Sequence, residues 1–196
     1  MLKLLPFALG YLYSYLLRSV GASLSGPTIQ DLGLSPAALG TLNALFFLAF
    51  ALAQVPLGYL LERCGPSRAL SALLGVAALG CSLVALAPGL GLLALGRLAM
   101  GVGVAIALVG ALRAYQLLAP GRLGLLSGLT VALGGLGGLL STWPVVRLAE
   151  VWGWRGFMGF LGPWAWASLF GCGRCPRGAV RGTEKAALRP RGNFFP

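Results

Sequence analysis

Two long apolar segments of this chain are joined by Gly58-Tyr59-Leu60-Leu61-Glu62-Arg63-Cys64-Gly65-Pro66-Ser67-Arg68. This stretch, the loop motif, brings one carboxylate and two guanidinium groups into a short turn of a protein that otherwise has few charges. Apolar segments long enough to cross a hydrocarbon core, separated by a charged turn with glycine, predict two membrane helices and a tight loop. The simpler interpretation of the same residues is an ordinary basic turn on the cytoplasmic side of a membrane.

Composition extends this prediction to the whole chain. Of 196 residues, 58% are hydrophobic and only 10% are charged, whereas soluble domains carry about 25% charged residues. The mean hydropathy is +0.86, and the 31 glycines suit helices that pack closely within a bilayer. We therefore predict an all-α integral membrane protein whose first partner is the lipid bilayer.

The charged and reactive residues argue against several other classes of protein. The formal net charge is +11, but the basic residues lie mostly in the predicted turns and the tail, so we predict no nucleic-acid partner. The chain has no histidine, which excludes histidine bases and Ser-His-Asp chemistry. Cys172 and Cys175 have the spacing of metal ligands, yet a structural zinc site needs four ligands. We predict no enzyme, no catalytic residue, no cofactor and no metal.

The apolar pattern divides the chain into a bundle over residues 1–170 and a tail over residues 171–196. The tail is rich in Gly, Arg, Pro and Ala, carries six basic residues and one acidic one, and is predicted to be disordered. Its composition is typical of an out-of-frame reading of GC-rich coding sequence; the alternative is a genuine basic tail attracted to anionic headgroups. The six predicted membrane helices cover residues 4–24, 37–61, 69–86, 90–112, 123–143 and 156–170.

The distribution of basic residues in the turns predicts the orientation. One set of turns, together with the tail, is clearly richer in basic residues, and the opposite set mixes both signs of charge. The first set contains Lys3, Arg63, Arg68, Arg113 and Arg122, and the second contains Asp31, Arg147, Glu150 and Arg155. We therefore predict a multi-pass protein of the inner (plasma) membrane with a cytoplasmic N-terminus.

The loop motif resembles the loop between the second and third helices of major facilitator superfamily transporters. The family pattern is Gly-x-x-x-Asp-Arg-x-Gly-x-x-Arg, and the corresponding residues here are Gly58, Glu62, Arg63, Gly65 and Arg68, with Glu62 in place of Asp. The resemblance implies that this loop gates the conformational change.

Three further patterns resemble the same family. Arg97, Gly101 and Gly103 resemble its Arg-x-x-x-Gly-x-Gly pattern on the fourth helix, and residues 153–155 resemble the Gly-Trp-Arg before its sixth helix. Arg97 is either a functional intramembrane arginine or a residue that extends to the outer headgroups. The fifth helix resembles the glycine-rich fifth helix of the family, and simple helix packing explains its glycines nearly as well; they are Gly134, Gly135, Gly137 and Gly138.

The resemblance implies the N-terminal six-helix half of a secondary transporter, with the substrate cavity between two halves that alternate in access. The expected partners are a small-molecule substrate and either a missing C-terminal half or a second copy of this chain. Two alternatives stay open: a non-functional truncated membrane remnant, and a half-size subunit that acts as a dimer.

Arg18 is the predicted substrate-binding residue, together with Tyr15. It lies deep in the first predicted helix, and organic-anion members of the family have an arginine at a similar place that binds the substrate carboxylate. Tyr11 and Tyr13 are further candidates for the cavity wall. Leu17 and Val104 stand where those members have acidic residues, and no carboxylate lies in a predicted span, so proton coupling through this half is not predicted.

Overall fold

The computed structural model describes the backbone of residues 4–173 and side chains as far as residue 163. Within that part all the regular secondary structure is helical, without strands. The eight α-helices are α1 Leu5–Ser23, α2 Ser25–Leu32, α3 Pro36–Cys64, α4 Pro66–Ala85, α5 Leu90–Val104, α6 Ala107–Leu118, α7 Leu123–Leu140 and α8 Trp143–Gly173. The all-helical class is therefore confirmed, while the predicted tail lies largely outside the described residues.

Local sequence explains where several helices begin and end. The Ser35 side chain accepts a hydrogen bond of 3.2 Å from the Ala38 backbone N–H, and Pro36 follows as the first residue of α3; both are common helix-start signals. Between α3 and α4 the single residue Gly65 has φ 79° and ψ 158°, a conformation open essentially to glycine alone. The loop motif is thus the end of α3 and the start of α4, joined by a one-residue turn at Gly65.

One predicted boundary is wrong and two are refined. The turn expected between residues 26 and 36 is mostly helix α2, which ends at Gly33 in a left-handed conformation. The helix expected over residues 90–112 is one helical stretch, Leu90–Leu118, in which residues 105–106 form a distorted turn between α5 and α6 but keep right-handed helical angles. The helix expected over residues 156–170 is the second segment of α8, and it follows a break at Gly153, where φ is 74°.

Four helical stretches in the described part are long and apolar enough to cross a membrane, namely Pro36–Cys64, Pro66–Ala85, Leu90–Leu118 and Pro120–Leu140. The chain therefore has the character of a multi-pass membrane protein. Six crossings, including α1 and α8, stay a prediction.

The bundle is organised around α4, which packs along α5 on one side and α8 on the other. Two further pairs, α1 with α7 and α3 with α5, complete it. Small residues make these contacts possible: a Cβ on Gly103 of α5 would overlap the backbone of Ala77 of α4, and one on Gly137 of α7 would overlap the carbonyl oxygen of Leu12 of α1. Close backbone approach is the usual route to helix association in lipid, where apolar burial drives little.

Candidate functional site

One face of α1 carries Tyr11, Tyr15 and Arg18, which lie on the same side of the helix because they are spaced four and three residues apart. The guanidinium carbon of Arg18 lies 4.1 Å from the centre of the Phe50 ring of α3 and 5.5 Å from the centre of the Tyr15 ring. Arg18 is half-buried, and its buried Nε has no hydrogen-bond partner. Two aromatic rings therefore hold a guanidinium group that no carboxylate of the described residues neutralises.

The tyrosines of this face rest on α7. The Tyr11 and Tyr15 rings meet edge to face with centroids 5.4 Å apart. A Cβ on Gly134 would lie 2.5 Å from Tyr11 Cε1 and 3.1 Å from Tyr15 Cδ2, and one on Gly138 would lie 3.7 Å from Tyr15 Cδ1. The glycines of α7 thus make room for two aromatic side chains beside Arg18.

The four glycines predicted for helix packing therefore differ in their surroundings. Gly134 and Gly137 are close contacts to α1, and Gly138 is a looser one. Gly135 was wrongly grouped with them, because nothing lies within 4 Å of the position that its Cβ would take. Consecutive helical residues point about 100° apart, so a run of glycines cannot all face one neighbour.

Tyr13 does not share the face of Tyr15. Its side chain is buried on the opposite side of α1, where the hydroxyl donates a 3.1 Å hydrogen bond to the Leu161 carbonyl of α8 and lies 3.5 Å from Cys81 Sγ of α4. Ser14 likewise donates to the Val104 carbonyl at 3.3 Å. These bonds join helices, and Tyr13 is not a cavity residue.

Arg97 is buried inside the bundle, with 5% of its surface exposed. Its Nη1 atom lies 2.5 Å from the position of a Cβ on Gly21, and the Asn43 Oδ1 atom of α3 lies 2.6 Å from the same position. The alternative that Arg97 extends to the headgroups is therefore wrong. Its neighbours in the α5 pattern also face inward: Gly101 meets the Phe46 carbonyl of α3, and Gly103 meets α4 as described above.

The carboxylates of the described residues lie away from Arg18 and Arg97. Asp31, Glu62 and Glu150 are all exposed at helix ends. Asp31 Oδ2 accepts hydrogen bonds from Arg155 Nε at 3.0 Å and from Trp154 Nε1 at 3.2 Å, and Glu150 pairs with Arg147 at 3.0 Å. These are the two ion pairs within the described part of the chain, so both interior arginines lack an acidic partner there.

The loop motif is exposed at the end of the bundle. Glu62, Arg63 and Arg68 all face outward, and Glu62 takes part in neither of the ion pairs just described. Arg63 instead lies over the Tyr59 ring, 4.5 Å from its centre, and Gly58 has open space around it. An exposed carboxylate and two exposed guanidinium groups at a helix junction are available to a partner surface.

Sequence reasoning missed Gly21, Asn43 and Phe50. Asn43 had a signal, since an amide within the apolar helix α3 needs a polar neighbour. Gly21 and Phe50 are ordinary membrane-helix residues, and only their contacts with Arg97 and Arg18 distinguish them.

Comparison with known proteins gives one family. The family model of the Major Facilitator Superfamily matches residues 7–189, which is most of the chain. No curated protein matches the chain.

Proposed function

The chain belongs to the Major Facilitator Superfamily, and we propose from that premise that it forms the N-terminal half of a secondary transporter for a small organic anion. Transporters of this kind bind their substrate near the middle of the membrane and expose the site alternately to either side. Arg18 is the proposed anion-binding residue, and Tyr15 shapes the site beside it.

The single observation that supports this proposal is the environment of Arg18. Its guanidinium lies between aromatic rings on a face of α1, its Nε lacks a partner, and the described carboxylates are exposed at helix ends. A charged side chain inside a membrane costs at least about 2.5 kcal/mol. The aromatic rings offset part of that cost; an anionic ligand offsets the rest, and none of the described carboxylates does.

The stacking geometry supports a carboxylate as the ligand. Phe50 lies against Arg18, and an aromatic ring attracts a cation through the ring face. The N–H donors of a guanidinium lie in its own plane, so a carboxylate can bind at the edge with two parallel hydrogen bonds. Lysine has no planar fork and is a poor replacement at such a site.

The test is anion binding by the full chain reconstituted in lipid nanodiscs, followed by uptake into proteoliposomes. We expect a carboxylate such as butyrate to raise the thermal unfolding midpoint, because a ligand that binds only the folded state stabilises it. Arg18→Lys should weaken binding about tenfold and Arg18→Ala about a hundredfold, as the loss of charged hydrogen bonds predicts.

The matched control is Arg147→Ala, which removes an exposed arginine and should leave anion binding unchanged. Unchanged binding in both Arg18 variants would leave Arg18 as a structural residue and contradict the proposal. Binding without uptake would favour the alternative that the chain needs a second half or a second copy to transport.

A second copy or a separate C-terminal half would close the cavity over the α1 face. The reason for proposing such a partner is that α3 and α7 are the least buried of the four candidate spans. Only 28% and 22% of their most apolar stretches are buried inside the bundle. Chemical cross-linking in native membranes, with a cysteine on the exposed face of α3 at Leu52, distinguishes a dimer from a monomer. Exclusive monomers with anion uptake would contradict a required second copy.

We also propose that Arg63, Arg68, Arg113 and Arg122 face the cytoplasm, and Asp31, Arg147, Glu150 and Arg155 the outside. All eight side chains lie outside the buried core, and the first group is basic whereas the second is neutral overall. Labelling with an impermeant maleimide should modify a cysteine at position 30 but not at position 67, in a background where Cys64, Cys172 and Cys175 are serine. Labelling at position 67 but not at position 30 would contradict the proposed topology.

A further inference from the structure

Two atoms in the described part of the chain are buried side-chain nitrogens or oxygens without a hydrogen-bond partner, and they are Nε of Arg18 and Nε of Arg97. Most buried polar atoms in folded proteins have a partner. Both exceptions are on arginines inside the bundle, and the anion site proposed above uses only Arg18. Their common chemistry suggests a common cause.

The two guanidinium groups lie along one crevice between α1, α3 and α5. Arg97 reaches from α5 to Gly21, and Gly21 is the residue one helical turn from Arg18 on α1. On α3, Phe50 holds Arg18 and Asn43 reaches Gly21. We call these five residues the arginine crevice: Arg18, Gly21, Asn43, Phe50 and Arg97.

The crevice holds two positive charges and no negative one. The described carboxylates are exposed at helix ends, and the two ion pairs involve Arg147 and Arg155. Like charges repel more strongly inside a protein than in water, and a guanidinium finds its best partner in a carboxylate. A monocarboxylate at Arg18 leaves Arg97 unpaired, whereas a ligand with two acid groups neutralises both.

We propose that the ligand is a small dicarboxylate, with one acid group on Arg18 and the other on Arg97 and Asn43. The proposal rests on the organic-anion function and adds its substrate class. Phe50, which holds Arg18, and Asn43, which lies beside Arg97, are seven residues apart on α3, a rise of about 10 Å. With one acid group at each guanidinium, this gap calls for a short chain between the acid groups, as in succinate or glutarate. Asn43 is half-exposed and lies beside Arg97, so its amide can donate to the second carboxylate as it enters.

Gly21 is part of this arrangement because it has no side chain. A methyl group there would lie 2.5 Å from Arg97 Nη1 and 2.6 Å from Asn43 Oδ1, so alanine must push both polar groups away. The neighbouring atoms are ends of side chains, not backbone, so the fold can adjust while the second anion position is lost.

The experiment measures binding of succinate, glutarate and butyrate to the full chain in lipid nanodiscs, from the rise in thermal unfolding midpoint with ligand concentration. Butyrate has the carbon count of succinate and only one acid group. We expect succinate or glutarate to bind about tenfold or more tightly than butyrate, since a charged hydrogen-bonded contact contributes a factor of this size.

Three variants locate the second acid group. Arg97→Gln and Gly21→Ala should reduce dicarboxylate affinity about tenfold, to the level of butyrate. Asn43→Asp places a carboxylate beside Arg97 and should cause the same loss without lowering the unfolding midpoint of the free protein. Arg147→Gln is the control: it removes an exposed arginine and should change the binding of neither the dicarboxylates nor butyrate.

The outcomes distinguish the dicarboxylate proposal from the organic-anion function on which it rests. No binding of any carboxylate would overturn the organic-anion function itself. Equal affinity for butyrate and the dicarboxylates would overturn the dicarboxylate proposal and retain Arg18 as an anion site. A dicarboxylate preference that persists in Asn43→Asp, which keeps its fold, would place the second acid group away from Arg97.

Discussion

The α5 motif (residues 97–103) and the loop motif (residues 58–68) both resemble patterns of one family, yet they lie in opposite surroundings. In the α5 motif, Arg97 is buried against α1, Gly101 meets α3 and Gly103 meets α4. In the loop motif the charged side chains are exposed. The α5 motif is therefore constrained by three neighbouring helices, whereas the loop motif is constrained by one backbone turn.

The two motifs need a glycine for different physical reasons. Gly103 is required by the backbone of Ala77 on another helix, and its own conformation is ordinary helix. Gly65 forms a one-residue turn and needs φ 79°. A pattern of residue types does not reveal which of these two reasons applies, and substitutions that act on one reason and not the other test the comparison.

The largest effect is expected in the α5 motif. Gly103→Val should lower the free energy of unfolding by about 3 kcal/mol, near the upper end for overpacking, because the obstructing atoms are backbone and cannot rotate away. Gly135→Val on α7 is the matched control, since nothing lies near its Cβ position. Unfolding by SDS titration in mixed micelles measures both, and equal losses would remove the contrast between packed and open glycines.

A smaller effect is expected at the turn of the loop motif. Gly65→Ala should cost about 2 kcal/mol, since a side chain strains this backbone conformation. Gly58→Ala, within α3 and surrounded by open space, should change stability little or raise it, because alanine favours a helix. If both variants unfold alike in the same titration, the loop motif is not held by the conformation of Gly65.

An intermediate effect is expected at the contact of Asp31 with Trp154 and Arg155, where Arg155 Nη1 also donates to the Ala87 carbonyl at 2.7 Å. Asp31→Asn should cost about 1 kcal/mol, because the pair is partly exposed and screened but joins α2 to α8. Glu150→Gln, in an exposed pair within one helix turn, should cost less than about 0.5 kcal/mol. A larger loss of stability for Glu150→Gln than for Asp31→Asn would contradict the idea that an ion pair between helices stabilises more than a pair within one helix turn.

The smallest effect is expected for Glu62→Gln. An exposed carboxylate outside the described ion pairs should change stability by no more than about 0.5 kcal/mol. A loss of several kcal/mol in chemical unfolding would show that Glu62 is buried against a partner in the native membrane, and the loop motif would then resemble the α5 motif.

Much of the helical architecture could be predicted because its signals are local. Ser35 and Pro36 start α3, and the apolar stretches on both sides of Gly65 predict two helices and the turn between them. The distorted turn between α5 and α6 and the short helix α2 were missed, since no proline or charge marks residues 105–106 and polar residues 25–32 are common in turns. Helical periodicity does not reveal a distortion that keeps helical backbone angles.

The sequence by itself determined the class of the protein: composition requires a membrane, and two spaced patterns of glycine and arginine identify the superfamily. Only the tertiary structure decided which polar residues meet. Arg18, Asn43 and Arg97 lie on three helices far apart in the chain, and Tyr13 and Tyr15 face opposite sides of one helix. Contacts between helices depend on rotation and close approach, which glycines such as Gly21 permit but do not specify, so the arginine crevice exists only in the packed bundle.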